Sequence, residues 1–230
     1  MTSHIVFVTG NKNKQKEISD IIFSKMVADK KPHNFKLHFI NFPYMEEIQS
    51  VNTNKVSENK VQKAAECLKK ETEFLKTLEP YKNIFILVDD TGLYAKTSPV
   101  NKITYTGKGY PGALIKDFVK SIEGNCCDGI CNSFGGSMAC TEVSIGIFNI
   151  TTCIWDVVTE LDYGHIPIEP KYDTTNKSFG WDPCFIPNTI GDKKNEKHLS
   201  YDMLPSDIKN KYSMRSKAIS SAYDKICSHL

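Results

Sequence analysis

No stretch of the 230 residues approaches the roughly 20 consecutive apolar positions a membrane-spanning helix needs. The N-terminus offers only Ile5-Val6-Phe7-Val8 before Thr9-Gly10-Asn11 interrupts it, too short for the core of a secretory signal. Strong charge of either sign is lacking too. Twenty-nine basic against 27 acidic residues leave +2, which argues against a protein that coats nucleic acid but leaves room for a local cationic pocket. Cysteine is not scarce, with eight residues, yet no two stand in a C-x-x-C pair and no histidine lies among residues 124–144. The cluster Cys126, Cys127, Cys131 and Cys140 therefore lacks the spacing of a zinc site. Without a secretory signal, free thiols are the default. The expectation is a soluble, cytoplasmic chain with no membrane or nucleic-acid partner. Neither an internal repeat nor a separating linker is visible, so residues 1–230 are read as one domain.

What is present alternates between strand and helix patterns. Residues 4–8 form a short buried run, residues 13–26 carry Ile18, Ile21, Ile22 and Met26 on one helical face, and residues 35–42 alternate as a second strand. A helix is expected over residues 56–75 and a third buried strand over residues 84–88, ending at Asp89-Asp90-Thr91-Gly92. Residues 96–109 and 124–136 read as loops, residues 111–119 as a short helix, and residues 138–150 with 153–161 as a long hairpin. Residues 207–226 close the chain as a helix. Together these predict an α/β or α+β chain with a mixed sheet.

Four segments carry the chemistry. Thr9-Gly10-Asn11-Lys12-Asn13-Lys14 follows a strand and opens a helix, which turns free backbone N–H groups and a positive helix end toward the loop, a seat for phosphate. On local features alone it is equally a solvated turn with surface lysines. Asp89-Asp90 sits after a strand, where adjacent side chains point to opposite faces, so one carboxylate can face a cleft and hold Mg²⁺. A turn with two solvated acids fits as well, and Glu46-Glu47 by itself reads as a solvated loop. Phe179-Gly180-Trp181-Asp182-Pro183-Cys184-Phe185 sets two flat rings beside a glycine and an acid, a way to sandwich a purine and bond its edge. In isolation it is more simply an aromatic core plug. Lys209, Lys211 and Arg215 near the last helix are a solvated charged face or a reach toward a base or triphosphate.

Taken together the segments resemble the inosine triphosphate pyrophosphatases, also called non-standard purine nucleoside-triphosphate pyrophosphatases. Val6 to Lys14 is similar to the family's phosphate loop, and Glu58-Asn59-Lys60-Val61-Gln62-Lys63-Ala64 to its E-N-A-x-x-K-A helix. Val88-Asp89-Asp90-Thr91-Gly92-Leu93 resembles its E-D-T/S-G-L segment, and Tyr110-Pro111-Gly112 its P-G turn. Phe179 to Phe185 resembles its most specific motif, and Lys209-Asn210 with Ser213 and Arg215 its K-N…S-H-R ending.

The resemblance implies an elongated mixed β-sheet flanked by helices, two lobes around a central cleft, and a homodimer. It implies Mg²⁺-dependent hydrolysis of ITP, dITP or XTP to the monophosphate and pyrophosphate, with Mn²⁺ as a substitute. Thr9, Gly10, Asn11, Lys12, Asn13, Lys14 and Lys63 would hold the triphosphate side and Thr91 would adjoin it. Asp90 would be catalytic and, with Glu47, would bind the metal. Phe179, Gly180, Trp181, Asp182, Lys209, Ser213, Met214 and Arg215 would surround the base. Three departures stand out: Met214 replaces the family's histidine, Asp89 its glutamate, and residues 96–109 and 124–136 look like insertions. Two other readings stay open, a related pyrophosphatase acting on other bases such as pyrimidines, and a nucleotide-binding module without turnover. A nucleic-acid binder is disfavoured, because no basic stripe interleaved with aromatics exists.

Overall fold

The computed structural model describes residues 2–29, 34–78, 83–98, 102–122, 125–173 and 180–230. The chain begins β1 (Ser3–Val8), α1 (Lys12–Ala28), β2 (Phe35–Ile40), α2 (Thr53–Leu68), α3 (Thr72–Thr77) and β3 (Ile84–Ala95). It continues β4 (Thr97–Ser98), β5 (Ile103–Thr104), β6 (Tyr110–Gly112), α4 (Ile115–Lys120), α5 (Cys126–Phe134), β7 (Met138–Asn149) and β8 (Trp155–His165). A single 3₁₀ turn at Asp182–Cys184 precedes β9 (Ile186–Pro187), β10 (Thr189–Ile190), β11 (Lys193–Lys194), α6 (Ser206–Tyr212) and α7 (Met214–Ser228). Seven strands form one mixed sheet in the order β2-β1-β3-β7-β8-β9, with β6 joined to β3.

Side chains alternate across the sheet as the two-residue period demands. Phe85, Leu87, Leu93 and Ala95 of β3 face a core shared with Ile18 and Ile22 of α1 and Ala218, Ile219 and Ile226 of α7. Ile84, Ile86 and Val88 face the opposite way, onto Val61, Ala64, Ala65 and Leu68 of α2. Helices therefore cover both faces of a mixed sheet: the strand and helix pattern predicted the mixed sheet, and the family resemblance implied the flanking helices. The approach of α2 is close. A Cβ on Gly146 of β7 would lie 2.7 Å from the Ser57 carbonyl oxygen, and the Ser57 hydroxyl donates to the Ser144 carbonyl at 2.8 Å. That contact fixes the axial rotation of α2, and hence which of its lysines faces the cleft.

Several expectations need correction. The strand expected to stop at Asp89 runs on to Ala95, because β7 pairs with it antiparallel from Phe85 to Ala95. Cross-strand pairing overrides the turn character of Asp-Asp-Thr-Gly. The opposite edge is interrupted: β1 pairs in parallel only as far as Leu87, and β6 pairs antiparallel only from Leu93. Among the described residues no strand pairs with residues 88–92 on that edge, so the sheet is split where the two aspartates stand.

The segment 124–136, read as a loop, contains α5, whose Cys127, Ile130, Cys131 and Phe134 are buried at helical spacing. Its glycine, cysteine and asparagine content disguised an apolar face. Within 96–109, also read as a loop, β4 and β5 pair antiparallel. The single helix expected over 56–75 is two, α2 and α3, and the C-terminal helix is interrupted at Ser213, whose side chain caps α7 by accepting the Ser216 N–H. Of residues 111–119, the start belongs to β6 and only Ile115 onward is helical.

Candidate active site

The gap in the sheet opens on three adjoining cavities of about 370, 230 and 310 Å³. Asp90 lines the first two, Asn11 and Lys14 the first and third, and Lys116 all three. The loop after β1 shapes the third. The Asn11 carboxamide oxygen caps α1 by accepting from the N–H groups of Asn13 at 3.0 Å and Lys14 at 3.3 Å, and the Asn11 N–H donates to the Thr9 hydroxyl at 3.2 Å. A Cβ on Gly10 would meet the end of the Asn41 side chain at 2.9 Å, so Asn41 would have to shift to admit one. Thr9, Gly10, Asn11 and Lys14 share this cavity with Glu47, Lys60, Asp89 and Lys116.

The two aspartates occupy opposite electrostatic worlds. Asp89 accepts two bonds from the Lys14 ammonium, at 2.8 and 2.9 Å, and lies 3.7 Å from the Arg215 Nε. Burial would raise its pKa, but Lys14, Arg215 and Lys60 together outweigh burial and hold it well below the carboxylate range. Asp90 is also buried, yet its Oδ2 meets no hydrogen-bond donor among the described residues. Burial and the neighbouring Asp89 charge push its pKa up to about 7, against the pull of Lys60. A buried carboxylate oxygen with no partner is costly. Asp90 as a residue lines the first two cavities.

Glu47 is ion-paired to Lys60 at 2.6 Å, and Lys60 lowers its pKa against the effect of burial. Asp90 and Glu47 line one cavity. They offer only oxygen, the donor set of a hard divalent cation. Among the described residues no group of three or more Asp, Glu, His or Cys side chains could hold a metal. A Mg²⁺ here would thus rest on one or two carboxylates and take its remaining ligands from phosphate and water, which is how that ion commonly binds.

The first cavity is walled differently. Trp181 lines it beside Asp182, which is ion-paired to Lys209; burial raises the Asp182 pKa. Arg215 donates to Glu17 at 2.7 Å and to the Thr91 hydroxyl at 3.2 Å. Met214 is both a wall and a core residue: it is buried, and its sulfur accepts from the Thr141 hydroxyl at 3.3 Å. Tyr201 adds a buried ring whose phenol donates to Asp162.

The structure therefore brings together Thr9, Gly10, Asn11, Asn13, Lys14, Glu47, Asp90, Thr91, Gly180, Trp181, Asp182, Lys209, Ser213, Met214 and Arg215 around the three cavities. Phe179 lies outside the described residues. Lys12 is exposed and lines none of the three. Lys63 does not join the site either; it pairs with Glu66 on the outer side of α2 at 3.2 Å. Lys60, three residues earlier and so roughly 60° around the helix, takes the inward place. Sequence reasoning passed over Lys60, although it stood inside the quoted motif, because the phase of α2 is set by its packing on Gly146. It also missed Lys116, Glu17 and Tyr201. Lys116 projects from the first turn of α4, is exposed, and pairs with no carboxylate among the described residues.

A mixed sheet covered by helices on both faces, and split beside a buried aspartate, defines an α/β protein with three adjoining cavities at the split, one of them aromatic and one lined by several lysines. A profile of the Ham1 family matches residues 5–225, and the chain belongs to that family. It is 28% identical over 217 residues to an inosine triphosphate pyrophosphatase of Kluyveromyces lactis, covering 93% of this chain and 91% of the relative. Its fold is shared by the Staphylococcus aureus Ham1 protein (TM-score 0.57, 17% identity, 99% of this chain and all of the other). A nucleoside-triphosphatase, dITP/XTP pyrophosphatase, from Mycobacterium abscessus is also similar (TM-score 0.56, 18% identity, 95% and 97% covered).

Proposed function

We propose that the chain hydrolyses non-standard purine nucleoside triphosphates (ITP, dITP, XTP) to the monophosphate and pyrophosphate, with Mg²⁺ as cofactor and Mn²⁺ able to replace it. Membership in the Ham1 family makes it a hydrolase of the nucleoside-triphosphate pyrophosphatase type. The observation that carries the finer reading is Asp90, a buried carboxylate with one oxygen unpartnered among the described residues, which lines the aromatic cavity and the cavity of Glu47 alike.

Cleavage between the α- and β-phosphates needs charge neutralisation and positioning more than covalent help. Lys14, Lys60 and Lys116 would receive the phosphates, with Thr9, Gly10 and Asn11 on the backbone side. Asp90 and Glu47 would hold the metal, which when bound neutralises phosphate charge. Trp181 would stack on the base. Lys209 and Arg215 would present donors to O6 of hypoxanthine or xanthine, and adenine would be rejected because its N6 group is itself a donor. Lys14 and Lys209 are held ready by Asp89 and Asp182. A homodimer in the cytoplasm agrees with this reading. No helix among the described residues is long and apolar enough to cross a membrane.

A second reading, relaxed base selection, is favoured by Met214. A thioether donates no hydrogen bond, and this one is engaged by Thr141. Pyrophosphate release from a panel of ITP, XTP, GTP, ATP and pyrimidine triphosphates, with and without Mg²⁺, tests both. Hydrolysis of ITP and XTP far above ATP supports the first; comparable rates on GTP support the second; no pyrophosphate from any of them rejects both.

A further inference from the structure

One buried carboxylate lines none of the three cavities and yet holds the helix that serves them. Glu142 of β7 is fully buried. It stands opposite Gly92, two residues before Ser144, the cross-strand partner of Asp90. The two-residue period therefore puts Asp90, Glu142 and Ser144 on one face of the sheet, the face that α2 covers. The Glu142 Oε1 accepts from the Thr53 hydroxyl and, at 3.4 Å, from the Tyr94 phenol. The Thr53 N–H in turn donates to the phenol oxygen at 3.3 Å. The Glu142 Oε2 is ion-paired to Lys108, whose ammonium lies 6.0 Å from the centre of the Tyr94 ring. Alongside, the Ser144 hydroxyl donates to the Thr53 hydroxyl oxygen at 2.8 Å, and the Thr159 hydroxyl of β8 donates to the Asn54 carboxamide oxygen.

We propose that Glu142, answered by Lys108, is a positioning residue that pins the first turn of α2 through Thr53 and so sets Lys60 for the triphosphate. Thr53 and Asn54 are the first two residues of α2. Lys60 follows Thr53 by seven residues, about two turns, and returns to the same side of the helix. Fixing the first turn therefore fixes where Lys60 meets Glu47. Glu47 itself precedes Thr53 by six residues, and between them the Val51 carbonyl accepts from the Ala113 N–H at 3.1 Å. The inference rests on the reading that the cavity of Lys60 receives a triphosphate.

A buried ion pair is a poor source of stability, because apolar side chains of similar volume often serve as well. What this one supplies is direction. A carboxylate that accepts from Thr53 holds that hydroxyl, and the helix turn bearing it, in one orientation. It also meets the positive end of α2. Lys108 comes from residues 96–109, the segment that looked like an insertion, which gives that segment a part in the site. The Lys108 side chain is 44% exposed whereas Glu142 is wholly enclosed, so losing the lysine leaves a buried charge unanswered, while losing the glutamate charge leaves only a solvated ammonium. Thr53 also packs its methyl carbon 2.9 Å from where a Cβ on Gly92 would stand. Packing and hydrogen bonding at Thr53 can therefore be separated by substitution.

The test is calorimetric binding of inorganic tripolyphosphate with Mg²⁺ to the full chain, a probe that has no base and needs no turnover. Thr53→Val keeps the shape and loses the hydroxyl; it should bind about three- to tenfold more weakly than wild type. Thr53→Ser keeps the hydroxyl and loses the methyl; it should bind like wild type, the reverse of what packing alone would give. In a Lys60→Ala chain, Thr53→Val should cost nothing further, since the effect runs through Lys60. Lys108→Met should weaken the same binding, and adding Glu142→Gln should restore it, because a neutral carboxamide needs no cation and still accepts from Thr53. With ITP and GTP as substrates, Thr53→Val should raise both KM values alike and leave the ratio of kcat/KM unmoved. Wild-type binding by Thr53→Val, equal weakness of Thr53→Ser and Thr53→Val, an undiminished loss in Lys60→Ala, or a Lys108→Met loss that Glu142→Gln does not restore would overturn the proposal while the triphosphate reading stands. Should Thr53→Val fail to fold, Lys108→Met decides, and unchanged binding by it overturns the proposal. Equal binding by wild type and Lys60→Ala would reject the triphosphate reading, and this proposal with it.

Discussion

The aromatic cavity meets the Glu47 cavity at Asp90 and the lysine-rich cavity at Lys14, but the two sides are built on different principles. Around the aromatic one, Asp182 pairs with Lys209 and Glu17 with Arg215, each cation coming from another element, although the Glu17 Oε1 meets no partner among the described residues. Such interlocked pairs set side-chain geometry before any ligand arrives. On the other side Lys14 and Lys60 are held by Asp89 and Glu47, while Lys116 has no carboxylate partner and Asp90 keeps an unpartnered oxygen, both among the described residues. That half is electrostatically unfinished, and a metal–phosphate ligand would complete it. The difference teaches that specificity and turnover should fail separately when the two sides are mutated.

The largest effect is expected at the junction. Asp90→Asn keeps size and removes charge, so Mg²⁺-dependent release of pyrophosphate from ITP should fall at least roughly a hundredfold with an unchanged far-ultraviolet spectrum. A variant of wild-type rate would put the reacting centre elsewhere. Next comes the lysine pair on α2. Lys60→Ala should raise the KM for every triphosphate by a similar factor, because a phosphate contact is blind to the base. Lys63→Ala, paired outward with Glu66, should change nothing in a parallel titration. Reversal of that order would restore Lys63 to the site.

On the base side, Trp181→Ala should weaken purine binding by about 1–3 kcal/mol through lost stacking, read as a KM increase for ITP with the metal titration unmoved. The smallest effect is assigned to Met214→His. Restoring a donor should widen the ITP-to-GTP ratio of kcat/KM by about 0.5–1.5 kcal/mol, up to roughly tenfold. A lowered melting temperature with the same ratio would instead mean that its contact with Thr141 serves the core alone.

How much of this was legible beforehand follows from which physical signal each part sends. Strand β1, helix α1 and the β7–β8 hairpin announce themselves through apolar periodicity, and the Asn11 loop through its position between strand and helix. Helix α5 does not, since its buried face is made of cysteine and glycine as much as of Ile130 and Phe134. The continuation of β3 through Asp89-Asp90-Thr91-Gly92 depends on a partner strand about fifty residues away in sequence. The choice of Lys60 over Lys63 rests on a rotation of α2 decided by Ser57 against β7. Lys116 is exposed yet lines all three cavities, a placement set by α4 following directly on β6. Residue types were readable from order along the chain; the direction each side chain faces was a tertiary property.

The central claim is that the unfinished side receives a triphosphate and the interlocked side its base. Product analysis of the wild-type enzyme with ITP and ATP in Mg²⁺ tests it most directly. The account predicts IMP and pyrophosphate in equal amounts from ITP, with ATP turned over far more slowly. Release of orthophosphate in place of pyrophosphate, or equal rates on ITP and ATP, would contradict it.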